Sequence, residues 1–127
     1  MTKKYTILHM DNNPVVLNLT KALIADRNCI TFESTSNENE TDTFLQKRLP
    51  DILIVDLMLD NDYDPTPGIN YIKKAYKQYP GLKMVVYTGN TDTEIKRELL
   101  SYTAHYELKS SDPVMFISKL QSLFKQS

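Results

Sequence analysis

The chain has 127 residues and lacks several features that mark large classes of proteins. Its single cysteine, Cys29, excludes an internal disulfide, and we expect a buried free thiol within a strand. The net charge is -1 with no basic block, which argues against nucleic-acid binding by bulk electrostatics. No apolar run reaches membrane-spanning length, and no signal peptide is recognisable. We therefore expect a soluble cytoplasmic protein with neither a nucleic-acid nor a membrane partner.

Glycine is also scarce, with three residues in the chain, and none of them belongs to a glycine-rich loop of the kind that cradles nucleotide phosphates. Dinucleotide binding is therefore disfavoured. What remains is a composition ordinary for a globular domain, with 41% hydrophobic and 24% charged residues. Because the length suits one hydrophobic core and no linker or repeat interrupts it, we expect a single domain over residues 1–127.

Short apolar runs alternate with helical patterns five times along the chain. Strands are predicted at residues 5–10, 29–34, 50–56, 82–87 and 105–108. Helices are predicted at residues 14–26, 37–49, 68–79, 91–100 and 113–124. In these helices we expect Tyr71, Tyr76, Tyr79 and Leu100 to face the core. Thr91 is expected to open a capping box. The alternation is typical of an α/β sandwich built on a parallel sheet.

Polar residues stand where the predicted strands end, and they suggest a site. Asp11 and Asn12 follow the first strand, and Asp56 closes the third, which is apolar over its whole length. Thr88 and Lys109 follow the fourth and fifth strands. Carboxylate and amide oxygens at one sheet edge suit a hard cation such as Mg²⁺. A carboxylate beside a cation, an ammonium and a hydroxyl is arranged to accept a phosphoryl group.

Five segments carry a resemblance to a known family. They are Ile7-Leu8 leading to Asp11-Asn12-Asn13-Pro14, the run from Pro50 to Leu59, Gly68, the run from Val85 to Gly89, and Ala104 through Tyr106 to Lys109. In this order and spacing the chain resembles, over nearly its whole length, the receiver domain of two-component response regulators. The resemblance implies a flavodoxin-like (CheY-like) three-layer sandwich. Its five parallel strands would lie in the order 2-1-3-4-5, with five helices around them.

By this resemblance Asp56 is the phospho-acceptor. Asp11 and Asn12 match the paired acidic positions that hold Mg²⁺, and Asp56 and the backbone carbonyl of Met58 would complete the ligand set. Mg²⁺ is thus the implied cofactor. Asn12 carries no charge, so we expect weakened Mg²⁺ binding.

The resemblance also implies how a signal would pass. Lys109 matches the lysine that contacts the phosphoryl group, Thr88 the switch hydroxyl, and Tyr106 the aromatic residue that turns inward on activation. The phosphoryl donor would be a sensor histidine kinase or a histidine phosphotransfer protein. A downstream protein would bind the surface of the fourth helix, fifth strand and fifth helix, at residues 91–124, and a homodimer is compatible with the fold.

Departures from the family pattern keep an alternative open. Ser110 follows Lys109 where proline is usual, so we expect a trans bond there. Asp60 also replaces a proline, in a loop longer than usual. Asn12 and Ser110 favour a degenerate receiver that docks on partners without phosphorylation. The intact Asp56, Thr88 and Lys109 favour a phosphorylated one. An enzyme is the least favoured interpretation, because neither a flavin loop nor the second aspartate of an aspartyl phosphatase is present.

Three other polar features receive simpler interpretations. Asp60, Asp62 and Asp64 alternate like the start of a calcium loop, but proline occupies the position of the required glycine, and a solvated acidic loop is favoured. His9 is expected to be a packed residue of the first strand, and His105 to be exposed.

Overall fold

The structure, a computed structural model, describes residues 5–11, 30–57, 64–110 and 112–124. Its strands are β1 (Tyr5–Met10), β2 (Ile30–Thr35), β3 (Ile52–Val55), β4 (Met84–Thr88) and β5 (His105–Leu108). Its helices are α1 (Glu38–Lys47), α2 (Thr66–Gln78), α3 (Thr93–Leu99) and α4 (Pro113–Phe124). Strands and helices alternate wherever both are described, as the sequence pattern predicts.

The five strands form one parallel sheet in the order β2-β1-β3-β4-β5, which confirms the predicted order. The register pairs Ile7 with Ile52 across β1 and β3, and Val85 with His105 across β4 and β5. In a parallel sheet every strand runs the same way, so all carboxyl ends meet at one edge. The residues that follow the strands are thereby gathered at that edge.

The central strand β3 is buried on both faces, and its side chains alternate between two cores. Leu53 and Val55 pack in the core covered by α1, α2 and α3, whereas Ile52 and Ile54 pack in the core beneath α4. Strand burial on both sides explains the unbroken apolar run, since no face is left for polar residues. The described residues thus form three layers, with helices on each side of the sheet.

Helix α1 forms although its sequence offers few apolar residues. The Asn37 side chain accepts a hydrogen bond from Glu40 N at 2.8 Å, which caps the helix start. Inside the helix, the buried Thr41 hydroxyl lies 2.6 Å from the Thr35 hydroxyl at the end of β2. Leu45 supplies the buried apolar contact. Capping and one satisfied polar pair therefore anchor a helix whose apolar face is weak.

The start of α2 lies unusually close to the end of β3. A Cβ added to Gly68 would lie 2.4 Å from both the Cα and the carbonyl oxygen of Leu57. Only glycine fits without displacing the backbone that directly follows Asp56. This contact fixes the first turn of α2 against the sheet edge.

Four helices are present in the described residues, whereas the sequence predicts five. The predicted first helix, at residues 14–26, lies outside the described residues, as does Cys29. The other helices begin and end within three residues of the prediction, and β1 and β5 match it fully.

The side-chain placements in two helices correct the prediction. Tyr76 is 50% exposed and does not lie in the core, whereas Tyr71 is buried as predicted, because α2 turns Gly68, Tyr71 and Ala75 toward the core. Tyr79 packs against the same core, also as predicted. Leu100 is exposed, since it lies just beyond the end of α3. The cap of α3 is Asp92 and not Thr91; the Asp92 carboxylate accepts from Glu94 N at 2.9 Å. No helix among the described residues is long and apolar enough to cross a membrane.

Candidate functional site

Backbone hydrogen bonds carry the sheet pairing past the strand ends and fix the residues that follow. Asp11 N donates to Thr35 O at 3.0 Å, and Asp56 N donates to Met10 O at 3.2 Å. Lys109 N donates to Thr88 O at 2.8 Å. Asp11, Asp56, Thr88 and Lys109 therefore stand at one edge of the sheet, held by its own ladder.

One ammonium group joins two of the predicted strand-end carboxylates. Lys109 Nζ lies 2.8 Å from Asp56 Oδ2, with hydrogen-bond geometry, and 2.8 Å from Asp11 Oδ2. Asp11 is 0% exposed and Asp56 is 3% exposed. The Lys109 side chain is 22% exposed, so it reaches in from the surface. The three side chains form a compact charged group at the carboxyl ends of β1, β3 and β5.

The electrostatics of this group favour a charged lysine. Burial acts to lower the pKa of Lys109, but its contacts with Asp11 and Asp56 outweigh that effect and raise the pKa above its usual value. One ammonium therefore serves two buried acidic side chains. With both of them ionised, the group would carry a net negative charge in a poorly solvated place, which would favour a further cation there.

The predicted cation ligands are only partly described. Asp11 and Asp56 provide adjacent oxygens suited to Mg²⁺, whereas Asn12 and Met58 lie outside the described residues. Among residues 5–11, 30–57, 64–110 and 112–124, no group of three or more His, Cys, Asp or Glu side chains is arranged to hold a metal. The oxygen donors of the two buried carboxyl groups, with one ammonium between them, fit a hard divalent cation.

Thr88 and Tyr106 are linked through one loop residue, Asn90. The fully buried Thr88 hydroxyl accepts from Asn90 N at 3.2 Å, and the Tyr106 hydroxyl donates to Asn90 O at 3.4 Å. Tyr106 lies inward, in the core with α3, and burial raises its pKa, with the charges of Asp92 and Asp56 adding to the effect. Asn90, in the loop after β4, thus connects Thr88 with Tyr106 in the core beneath α3.

Sequence reasoning missed two residues beside the charged group. Asn90 carries no motif signal apart from its position two residues after Thr88. Tyr87 is buried, and burial raises the pKa of its hydroxyl, while the nearby Lys109 acts in the opposite direction. Alternation along β4 places Tyr87 on the opposite face from Thr88, which could have identified it as a neighbour from the other side of the sheet.

The remaining polar predictions have mixed outcomes. His105 is half-buried rather than exposed, because its Nε2 lies 3.0 Å from Glu107 Oε1 on the same face of β5. No peptide bond between described residues is cis, so Ser110 follows Lys109 through a trans bond, as predicted. Asp64 is exposed and accepts from Thr66 N at 3.0 Å, while the two aspartates before it lie outside the described residues.

Comparisons with known proteins agree with this architecture. A family model of the response regulator receiver domain matches residues 7–121. No curated protein matches the chain in sequence. Similar solved structures include a response regulator from Thermotoga maritima, with 18% identity, a TM-score of 0.82, and coverage of 96% of this chain and 98% of that chain.

Two further structures show the same fold. A CheY-like receiver domain protein from Methanospirillum hungatei JF-1 has 23% identity and a TM-score of 0.77, covering 98% of this chain and 97% of that chain. The receiver domain of the Francisella response regulator 1452 has 21% identity and a TM-score of 0.82, covering 97% and 98%. With the family model spanning most of its length, the chain belongs to the response regulator receiver domain family.

Proposed function

We propose that Asp56 accepts a phosphoryl group from a sensor histidine kinase or a histidine phosphotransfer protein. A carboxylate oxygen of Asp56 attacks phosphorus as the phosphorus–nitrogen bond of phosphohistidine breaks, and the leaving imidazole takes up a proton. The observation that carries the proposal is Lys109 Nζ at 2.8 Å from Asp56 Oδ2, since an ammonium placed there can bind the oxygens of the incoming group.

Mg²⁺ would supply the second positive charge. Asp11 and Asp56 would hold it, with Asn12 and the Met58 carbonyl as further ligands, and it would neutralise charge on the phosphoryl oxygens. Because Asn12 is uncharged, the ion is held more weakly than by a third carboxylate. Lys109 then divides its contacts between Asp56 and the phosphoryl group.

The output would pass through the Thr88–Asn90–Tyr106 connection. A hydroxyl drawn toward the phosphoryl group would disturb the 3.2 Å contact between Thr88 and Asn90, and with it the Tyr106 contact. We expect the surface of α3, β5 and α4, within residues 91–124, to bind a downstream protein. The working unit would be a single cytoplasmic receiver over residues 1–127 with signalling, not enzymatic turnover, as its role.

The test is phosphorylation by a small phosphodonor in the presence of Mg²⁺, followed by intact-mass measurement. The wild-type protein should gain the mass of one phosphoryl group, and Asp56→Asn should not. Asp51→Asn is the matched control, because Asp51 is exposed near the opposite end of β3 and should leave the adduct unchanged. Absence of an adduct on the wild type, or an equal adduct on Asp56→Asn, contradicts the proposal.

The uncharged Asn12 favours one alternative, a degenerate receiver that docks on partners without phosphorylation. Beryllofluoride with Mg²⁺ mimics the acyl phosphate and separates the two functions. A phosphorylated receiver should show shifts of the Thr88, Asn90 and Tyr106 amide signals in NMR spectra, and a docking module should show none.

A further inference from the structure

His9 is a buried polar residue in an otherwise apolar strand. It is 0% exposed, and its neighbours Ile7, Leu8 and Met10 all pack in the cores. Within the described residues neither ring nitrogen has a hydrogen-bond partner. Burying an imidazole without a hydrogen bond is less favourable than burying an apolar side chain of similar size, so His9 needs a physical explanation.

The polar group that faces His9 is the carboxylate of Asp11. Residues two apart on a strand share a face, and His9 Nε2 lies 3.7 Å from Asp11 Oδ2. This is the same oxygen that lies 2.8 Å from Lys109 Nζ. The distance to His9 exceeds the usual 2.7–3.2 Å of an N–H···O hydrogen bond by about half an ångström to one ångström. A small rotation of the Asp11 carboxylate would bring its oxygen within hydrogen-bonding distance of His9 Nε2.

The imidazole ring is held in this position by its aromatic neighbours. The Phe32 ring lies perpendicular to it at a centroid distance of 6.1 Å, and the Tyr87 ring lies at 6.3 Å. Tyr87 is itself stacked on Phe116 at 4.0 Å, beneath α4. Packed rings limit reorientation, so Nε2 stays directed toward the sheet edge and Asp11.

We propose that His9 is a positioning residue for Asp11, and that its Nε2–H binds Asp11 Oδ2 when Lys109 moves to the phosphoryl group. This inference rests on the proposed function. With Asp56 unmodified, Lys109 contacts both carboxylates; with a phosphoryl group present, its ammonium is drawn to the new oxygens and away from Asp11. A donor within half an ångström to one ångström of bonding distance then keeps Asp11 oriented toward the cation.

A hydrogen bond that forms only after modification gives a reason for an imidazole that has no hydrogen-bond partner within the described residues. In the unmodified state the hydrogen bond from His9 to Asp11 is not formed, and the buried imidazole lowers the free energy of unfolding. In the modified state the bond forms, and a hydrogen bond to a charged group is worth roughly tenfold in an equilibrium constant. The gain therefore appears as tighter binding of the cation and phosphoryl mimic, not as greater stability of the unmodified protein.

The experiment compares His9→Phe with His9→Gln. Phenylalanine keeps an aromatic ring between Phe32 and Tyr87 but has no nitrogen, whereas the glutamine amide places a donor near the position of Nε2. The probe is beryllofluoride with Mg²⁺, titrated against each protein and followed by the NMR signal of the Thr88 amide. Urea unfolding without divalent cations supplies the structural control.

We expect His9→Phe to raise the apparent dissociation constant of the mimic roughly tenfold, while His9→Gln stays within about threefold of the wild type. A purely structural role predicts instead that both variants change unfolding but not this constant. Equal constants for the wild type and His9→Phe, or a loss in His9→Gln as large as in His9→Phe, overturn the inference.

A second measurement needs no variant. The chain has two histidines, so the ring nitrogens of His9 can be told from those of His105 in a nitrogen–proton NMR correlation. The Nε2 proton of His9 should shift toward the hydrogen-bonded range on adding beryllofluoride and Mg²⁺. An unchanged signal while the Thr88 amide responds refutes the inference alone, whereas no response of any wild-type signal refutes the proposed phosphorylation together with it.

Discussion

Replacing Lys109 by methionine tests the charge arrangement at the sheet edge. Methionine keeps much of the side-chain length and removes the ammonium that contacts Asp11 and Asp56 at 2.8 Å each. Because both carboxylates are buried, little water is available to replace the lost partner. The variant therefore leaves two negative charges close together in a poorly solvated place.

The size of the effect follows from the geometry. Each carboxylate loses an ammonium contact at 2.8 Å, and removing one partner of a buried ion pair costs about 3–5 kcal/mol, because the charge left behind is uncompensated. We expect a loss of about 3–5 kcal/mol in the free energy of unfolding at pH 7.

The assay is urea unfolding followed by circular dichroism, with chelator present to remove divalent cations. Adding Asp56→Asn to the variant should restore most of the loss, because one of the two charges is gone. Lys119→Met, a change at an exposed position of α4, is the control and should have little effect. A loss below about 1 kcal/mol at pH 7, or one that the added Asp56→Asn does not reduce, refutes the reasoning.

Two further predictions concern the packing around the site. Gly68→Ala places a Cβ 2.4 Å from the Leu57 backbone, so α2 must move. We expect a loss of at least about 2 kcal/mol in the free energy of unfolding, together with slower phosphorylation of Asp56. An unchanged free energy of unfolding and an unchanged phosphorylation rate would contradict the close contact. Burial, with the hydrogen bond to Asp42, raises the pKa of Tyr71, so its contribution to stability is complete below its ordinary pKa near 10 and is lost as pH rises above it. Unfolding free energies between pH 8 and 11 should therefore fall more steeply for the wild type than for Tyr71→Phe, and parallel curves would contradict this.

The sheet could be predicted from the sequence because its signals are local and redundant. The four successive apolar residues of β3 predict a strand that is buried on both faces, because neither face carries a polar side chain. In the structure their side chains pack alternately in the two cores. Parallel connections then restrict the strand order to few possibilities. Position at a strand end was enough to bring Asp11, Asp56 and Lys109 together.

Helix faces were harder to predict because tyrosine suits both core and surface. In α2 two stripes are possible, one through Tyr76 and one through Tyr71, and both contain apolar residues. The structure uses the stripe with Gly68 and Ala75, since only small residues allow the helix to approach Leu57 closely. Close packing is a tertiary requirement, and periodicity alone does not contain it.

The partners of the site residues were also beyond sequence reasoning. Lys109 has a long flexible side chain, so its position at a strand end does not say that one ammonium contacts both carboxylates. Asn90 acts through its backbone groups, which any residue type possesses. His9 reads as a packed residue, and only its 3.7 Å distance from the Asp11 carboxylate gives its nitrogen atoms significance.

On the proposed function, the shared ammonium would couple cation binding to phosphorylation. A cation that binds Asp11 and Asp56 must compete with the Lys109 contacts, so its affinity for the unmodified protein is lower than two carboxylates alone would provide. If Asp56 carries a phosphoryl group, that group draws Lys109 away from Asp11 and offers further oxygens to the cation. Affinity then rises, and by thermodynamic reciprocity the bound cation favours the phosphorylated state by the same factor. Lys109 would therefore both stabilise the resting fold and set the size of the coupling, so substitutions of this one residue would measure both.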